Sequence, residues 1–417
     1  MAKWLFSPFT TLTVRKILIV TPRVPYPLKD GGNLATHAMI EGYMQAGWQV
    51  SLLSMNTPQY YVQPQVLNGL YRHLESFQWM DFSPDARALD AIKNYLLRKT
   101  PAHVAAFYQP AFGQKILDVI AANDPDVVQM ESVFLSPYLP AIKNISSAVI
   151  ALRSHHLEYM IWHGLLEKNK NKFRKVYFSN VRERLKDFER KWWKEYDIVI
   201  PIAEKDAYHI KRHETVNAML VAPYSVDPSL PQIVDSDATW VGCHLGVMDA
   251  LPNNEGIDWF LTSAWPRIVK AVPKFEFYYA GRNMPDAFAR NTPEGTFCLG
   301  EVDDAAAFLA DKKIFIAPIW SGGGMQVKVL EAMAAGKVVI ATPMGMRGID
   351  ARPGEHFQAV HKTEDFIRAI KWALANPLEA TQMAANGRRL VMERYTHAVV
   401  MGRVVRELEA LVASRRG

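Results

Sequence analysis

Residues 313–342, KIFIAPIWSGGGMQVKVLEAMAAGKVVIAT, constrain the fold more than any other stretch of the chain. Ile314, Phe315, Ile316, Ala317 and Pro318 make a short apolar run that stops at Trp320 and Ser321. A run without polar alternation is what a strand buried on both faces requires. Gly322, Gly323 and Gly324 follow. Taken alone they suit any loop, but they also let backbone amides approach a ligand with no Cβ in the way. A helix is predicted over 326–335, with Gly336 as a left-handed cap before a second strand over 338–342. Strand, glycine loop, helix and strand in this order form a βαβ unit whose helix start suits a phosphate. Lys328 and Glu331, three residues apart, share a face of that helix. A phosphate would take the amides, the helix dipole and the Lys328 ammonium, while Glu331 would accept hydrogen bonds from sugar hydroxyls.

One βαβ unit cannot use 417 residues, of which 49% are apolar. Single cores stop growing near roughly 250–300 residues, so two domains are expected. A net charge of +6 favours phosphates, nucleic acid or an anionic membrane surface without choosing among them. The cations are dispersed and no nucleic-acid motif is present, which argues against RNA or DNA as a partner. Cys243 and Cys298 lie far apart with no metal-type spacing, so they read as thiols in a reducing compartment and no metal site is expected. No apolar run approaches the length of a bilayer span, and the opening residues lack a signal-peptide core. A cytoplasmic protein is expected, with peripheral contact at the inner face of a membrane as an open alternative. Trp4, Leu5, Phe6 and Phe9 either fold back onto the domain or dip into an interface.

Further strands are expected at 16–20, 49–55, 126–130, 148–152 and 197–202. A helix is expected over about 33–45, with Gly31 and Gly32 at its start as a second place where amides meet a ligand. The stretch 165–195 has helical periodicity, with Lys168, Lys170, Lys172, Arg174 and Lys175 near its start. It reads as a solvated face or as a basic, aromatic patch for anionic head groups or an acidic acceptor. Trp192 and Trp193 read as core. Proline-rich residues 222–237 suggest a linker and a hinge near 222–231. A second series of strands follows at 241–246, 275–280, 296–299, 313–318 and 338–342, with helices over 255–271, 303–311 and 326–335. The fold class is therefore α/β, with two doubly wound, Rossmann-like parallel sheets facing a cleft in which ligands bind at strand carboxyl ends.

Several blocks carry a family resemblance. VGCHLGVMDALPNNEGIDWFLTSAWPRIVKAVPKFEFYYAGR at 241–282 and IAPIWSGGGMQVKVLEAMAAGKVVIATPMGMRGI at 316–349 resemble the retaining glycosyltransferases of family 4, which have the GT-B architecture. TPRVPYPLKDGGN at 21–33 resembles that family's opening loop, and ALRSHHLEYMIW at 151–162 its histidine block. The resemblance implies an acceptor-side domain at 1–222, a nucleotide-sugar-binding domain at 223–394 and a C-terminal helix at 395–417 that crosses back. It implies transfer of a sugar, of hexosyl type, from a nucleotide sugar to a sugar, lipid-linked or protein acceptor, with retention and with neither cofactor nor metal. The product would belong to polysaccharide, glycolipid or glycoconjugate biosynthesis. Lys328 and the amides of Gly322, Gly323 and Gly324 would hold the diphosphate, with Arg282 as a second cation, so that side chains replace a divalent ion at the leaving group. Glu331 would bind ribose, His155 would lie over the donor sugar as the catalytic residue, and Gly31 and Gly32 would shape the floor. Glu158 would orient the loop or touch substrate, and Arg347 reads as an electrostatic extra or a solvated loop residue.

The chain also departs from the family. Gly323 stands where many members carry a second glutamate, eight positions before Glu331. His156 replaces a common asparagine, and Tyr224-Ser225 stand in a Pro-Asn-Gly-Val-Asp block. Two other readings keep the fold: a nucleotide-sugar 2-epimerase, and a catalytically degenerate scaffold.

Overall fold

The computed structural model describes residues 14–28, 31–82, 104, 107–168, 171–226, 238–322 and 325–416. Gly323, Gly324, Lys170, the four apolar residues near the start and hinge residues 227–231 lie outside them.

The first half carries β1 (Lys16–Thr21), β2 (Gln49–Asn56), β3 (Ser76–Asp81), β4 (Val127–Met130), β5 (Val149–Ser154) and β6 (Ile198–Pro201). The second half carries β7 (Thr239–Leu245), β8 (Phe277–Ala280), β9 (Thr296–Cys298), β10 (Lys312–Ala317), β11 (Val338–Ala341) and β12 (Gln358–Ala359). The sheet orders are β3-β2-β1-β4-β5-β6 and β12-β11-β10-β7-β8-β9, and the strand pairs within them are parallel. Each order reverses once, between β1 and β4 and between β7 and β10. That is where a doubly wound sheet leaves a crevice at its strand carboxyl ends.

The unalternated apolar strands are explained by what lies on each face. Leu18 and Val20 pack into one cluster with Val128, Met130 and Leu152, whereas Ile17 and Ile19 pack into another with Val50, Val127 and Ala151. In β10, Phe315 and Ala317 face one core while Ile314 and Ile316 face the other. The period of two persists, but both sides are apolar because helices cover both.

Four elements differ from the sequence reading. The single helix expected over 165–195 is two helices, Glu158–Lys168 and Lys172–Trp193. Asn171 starts the second by accepting hydrogen bonds from the amides of Phe173 (2.9 Å) and Arg174 (3.3 Å), a cap that periodicity does not reveal. The helix over 255–271 contains a π turn at Phe260–Ala264. Pro266, just beyond it, has no N–H to continue the α ladder. β3 and β12 went unforeseen, since SFQWMD has no apolar run and β12 has two residues. Trp193 is fully buried, and Trp192 lies beside it in the same core.

The last helix, His397–Arg416, comes from the second half but completes the first. Val400, Met401, Val404, Leu408 and Val412 bury themselves against Ile17, Met39 and Tyr43. Arg415 grips the Asp197 carboxylate at 2.7 and 2.9 Å, and Arg416 pairs with Asp126. Where the chain crosses, the Val226 amide donates to the Tyr395 carbonyl at 2.8 Å.

Gly42, inside the Gly31–Gln45 helix, sets the approach of this last helix. A Cβ there would lie 2.2 Å from Met401 Cγ. Helix propensity alone favours Gly42→Ala by up to ~1 kcal/mol, but overpacking costs ~1–3 kcal/mol. Thermal unfolding should therefore show Gly42→Ala destabilised, with partial recovery on adding Met401→Ala.

Candidate active site

In the N-terminal half, Glu131 follows β4 at the switch point and is almost fully buried. Its carboxylate accepts from Thr36 Oγ1 at 2.9 Å, from Gln129 Nε2, and from His155 Nε2 at 2.8 Å. Gln129 in turn accepts from Tyr43 Oη at 2.6 Å. Arg153, also buried, donates to the Ile200 carbonyl at 3.3 Å and leaves its Nε without a partner. Burial pushes the Glu131 pKa up, but the His155 hydrogen bond, the His155 and Arg153 charges and the Gln129 bond outweigh it and hold the carboxyl below its usual range. An ionised Glu131 therefore accepts the Nε2 hydrogen of His155, which orients that ring over the cavity.

That cavity has a volume of about 540 Å³ and lies between the halves. Gly31, Gly32, His155, Glu131 and Tyr224 line it, and Met325 and Val327 of the second half complete it. The structure thus gathers four sequence-predicted residues, Gly31, Gly32, His155 and Glu158. The position of a Cβ on Gly31 is 3.7 Å from Val327, so the starts of helices Gly31–Gln45 and Val327–Ala334 meet across the cleft.

The second half builds a tighter site at its own switch point. Backbones press together at the ends of β7 and β8: a Cβ on Gly281 would lie 1.7 Å from the Gly246 carbonyl oxygen, which only glycine permits. Arg282 follows immediately, and its Nε is buried without a hydrogen-bond partner. Asn253 donates to the Val247 carbonyl at 2.7 Å and accepts from Lys328 Nζ. His244 uses Nδ1 on the Ile316 carbonyl at 2.8 Å and leaves Nε2 buried and unpaired. Burial first, and the nearby Lys328 charge second, push His244 well below the ordinary histidine range. Gly322 has a φ of +120°, a backbone that side chains rarely adopt. Gly323 and Gly324 lie outside the described residues.

Lys328 and Glu331 do not pair with each other. Desolvation pulls Lys328 down to about 7, with the Asn253 amide oxygen as its partner. Desolvation pushes Glu331 up to about 7, against a weak bond from Tyr224 Oη at 3.5 Å. Glu331 opens onto a second cavity of about 370 Å³, with His37, Glu41, Tyr224 and His397. Neither Lys328 nor Arg282 lines either of these two cavities. Tyr224 walls both and stands between them.

Arg347 is more than a solvated loop residue. It lies 4.0 Å from the buried Asp206 carboxylate of the first half and donates to the Gly322 carbonyl at 3.4 Å, so it ties the glycine loop to the opposite domain. Glu158 bonds His156 Nε2 at 3.0 Å. Glu189 accepts from the Glu158 and Tyr159 amides, each at 3.0 Å, and burial raises its carboxyl to about 8. Glu131, Arg153, Asp206 and Glu189 escaped the sequence reading. Glu131 and Arg153 did leave a trace, as charges within or just after the apolar strands VVQM and VIALRS.

This arrangement can be set beside known proteins. Residues 241–376 match the family described as "Glycosyl transferases group 1". The fold is GT-B. A Klebsiella pneumoniae protein, described as an uncharacterized 44.6 kDa protein in cps region, is 20% identical over 408 residues, covering 94% of this chain and 99% of its own. Sucrose-phosphate synthase from Thermosynechococcus elongatus superposes with a TM-score of 0.69 at 15% identity, over 96% of this chain and 100% of that one. Anabaena HepE in complex with UDP superposes with a TM-score of 0.65 at 11% identity, over 95% and 100%. At these identities the structural likeness speaks for the fold alone. Among the described residues, no group of three or more His, Cys, Asp or Glu is placed to hold a metal ion, and no helix is long and apolar enough to cross a membrane.

The displaced pKa values of Lys328 and Glu331 make stability depend on pH. Lys328 loses its proton near 7 when folded and near 10.5 when unfolded, so its contribution to stability rises with pH across that window. Glu331 holds its proton to about 7 when folded but only to 4.5 when unfolded, so its contribution falls from 4.5 to 7. Their joint cost peaks near neutrality. In denaturant titrations across pH, Lys328→Met/Glu331→Gln should gain most over the natural protein near pH 7.

Proposed function

We propose that this protein transfers a glycosyl group, of hexosyl type, from a nucleoside diphosphate sugar to an acceptor hydroxyl, with retention at the anomeric carbon and without a metal ion. One observation carries the proposal: Lys328 is a desolvated amine at the switch point whose partner among the described residues is an amide oxygen, which a phosphate oxygen can replace. A lysine near 7 is costly to keep unless an anion comes to it. Arg282 adds a buried N–H in need of an acceptor. In the reaction the C1–oxygen bond of the donor breaks and its electron pair passes to the diphosphate. The acceptor oxygen bonds C1, and its proton goes to the departing phosphate oxygen. Lys328, Arg282 and the Gly322 loop neutralise the charge that develops there. Glu331 accepts ribose hydroxyls from the smaller cavity, and His155, held by Glu131, faces the transferred sugar in the larger one. The acceptor is a sugar or a sugar carried on a lipid or protein, and the product belongs to a surface or exported polysaccharide or a related glycoconjugate. The relative in a cps region supports that setting. HepE was solved with UDP, which makes UDP the first nucleotide to test.

A thermal-shift screen of UDP, GDP and ADP with their sugars should give one preferred nucleotide, whose stabilisation disappears in Lys328→Met. Nucleotide release from the matching donor should fall at least ~100-fold in Lys328→Ala, and equal turnover would sink the assignment.

Binding should also take up a proton near pH 8, because a diphosphate raises a lysine that is largely neutral there. Calorimetry in buffers of different ionisation enthalpy reads that uptake, and Lys328→Arg should abolish it.

A further inference from the structure

The helical pair Glu158–Lys168 and Lys172–Trp193 ends in a surface that the transferase reading does not use. Phe173 is 88% exposed and Val176 72%, with Tyr177, Ile161 and Leu165 each about two-fifths exposed. Phe173, Val176 and Tyr177 sit at i, i+3 and i+4 and so share one helical face. Ile161 and Leu165, four apart on the partner helix, add to it. The two helices are joined from below by Trp162, whose ring centroid lies 6.2 Å from Tyr177 and 5.6 Å from Phe178, both edge-on. The patch is therefore a supported surface.

On the second helix its charge is of one sign. Lys172, Arg174 and Lys175 are exposed between those apolar residues, and residues 172–182 contain no Asp or Glu. Among the described residues no ion pair holds any of these three cations. Six consecutive exposed residues, Lys-Phe-Arg-Lys-Val-Tyr, thus offer an apolar face flanked by cations. We propose that this tip docks on an anionic lipid bilayer, with Phe173, Val176 and Tyr177 entering the head-group boundary and Lys172, Arg174 and Lys175 on the lipid phosphates. Charge decides the occupant: an apolar protein partner does not call for a cation at every second or third position, whereas a surface of lipid phosphates does. The helix that leads to the tip starts at Glu158, on the cavity wall, and its 11 residues span about 16 Å. Docking there would hold the cleft close to the bilayer. The inference does not depend on the transferase reading, because vesicle binding needs neither donor nor acceptor.

Flotation of the full-length protein with phosphatidylcholine vesicles, with and without phosphatidylglycerol, tests it. Binding is expected only with the anionic lipid and should weaken as salt rises. Lys172→Glu/Arg174→Glu/Lys175→Glu should lower it by at least about 100-fold, since each of the three cations near an anionic surface counts about fivefold. Phe173→Ser/Val176→Ser should lower it by at least about tenfold. Melting temperatures should stay within about 2 °C of the natural protein's, because the changed side chains are exposed. Absence of binding to anionic vesicles, or binding that survives either set of substitutions in folded protein, overturns the proposal. Self-association lost in Phe173→Ser/Val176→Ser without vesicle binding also overturns it and gives the face to a second copy.

Discussion

Parallel strands covered by helices on both faces have nowhere to put a charged group except near their ends, and this restriction organises both halves of the molecule. Ile17 and Ile19 face one core while Leu18 and Val20 face another, so β1 cannot carry a functional side chain along its length. Glu131 therefore comes one residue after β4, and Arg282 two after β8. Even His244, which lies within β7, is close to its carboxyl end and has one ring nitrogen occupied by the neighbouring strand. Because both sheets reverse order at their centre, each half gathers its polar groups in one crevice.

The chemistry of the two crevices differs in sign. Glu131 is ionised and saturated with donors, so the first half presents an oriented histidine. Among the described residues the second half keeps cations short of partners, with Lys328 on one amide oxygen and Arg282 Nε on none. A ligand with an anionic part and a polyhydroxylated part matches that division. Arg347 connects the two, since it reaches Asp206 in one half and the Gly322 carbonyl in the other. The last helix joins them more firmly, by giving the first half part of its core from the end of the chain.

Much of the fold was legible because its signals are local. KILIV, VVIAT and IFIAP are strands by their unbroken apolar runs, and Gly336 closes its helix at a φ of +72°, as a left-handed cap should. Less of the site was legible. His155 stood out because it lies in a block that resembles the family's histidine block, yet its partner Glu131 lies 24 residues earlier and was invisible to any spacing rule. The same holds for Asp206 and Arg347, which meet only because two domains close on each other. The break at Asn171 was missed for a different reason: a side-chain cap interrupts a helix without disturbing its charge pattern.

Lys328 and Glu331 show best what each level determined. The sequence alone placed them three apart on a short helix after a glycine loop, and backbone geometry then guarantees that they emerge on neighbouring sides of it. It could not say what surrounds them. Tertiary structure turned Lys328 onto Asn253 and Glu331 toward Tyr224, kept the two charges from pairing, and desolvated both until each titrates near 7. Helical periodicity is a property of neighbouring residues, whereas desolvation is set by everything that packs around a charge, here from segments more than 70 residues away along the chain.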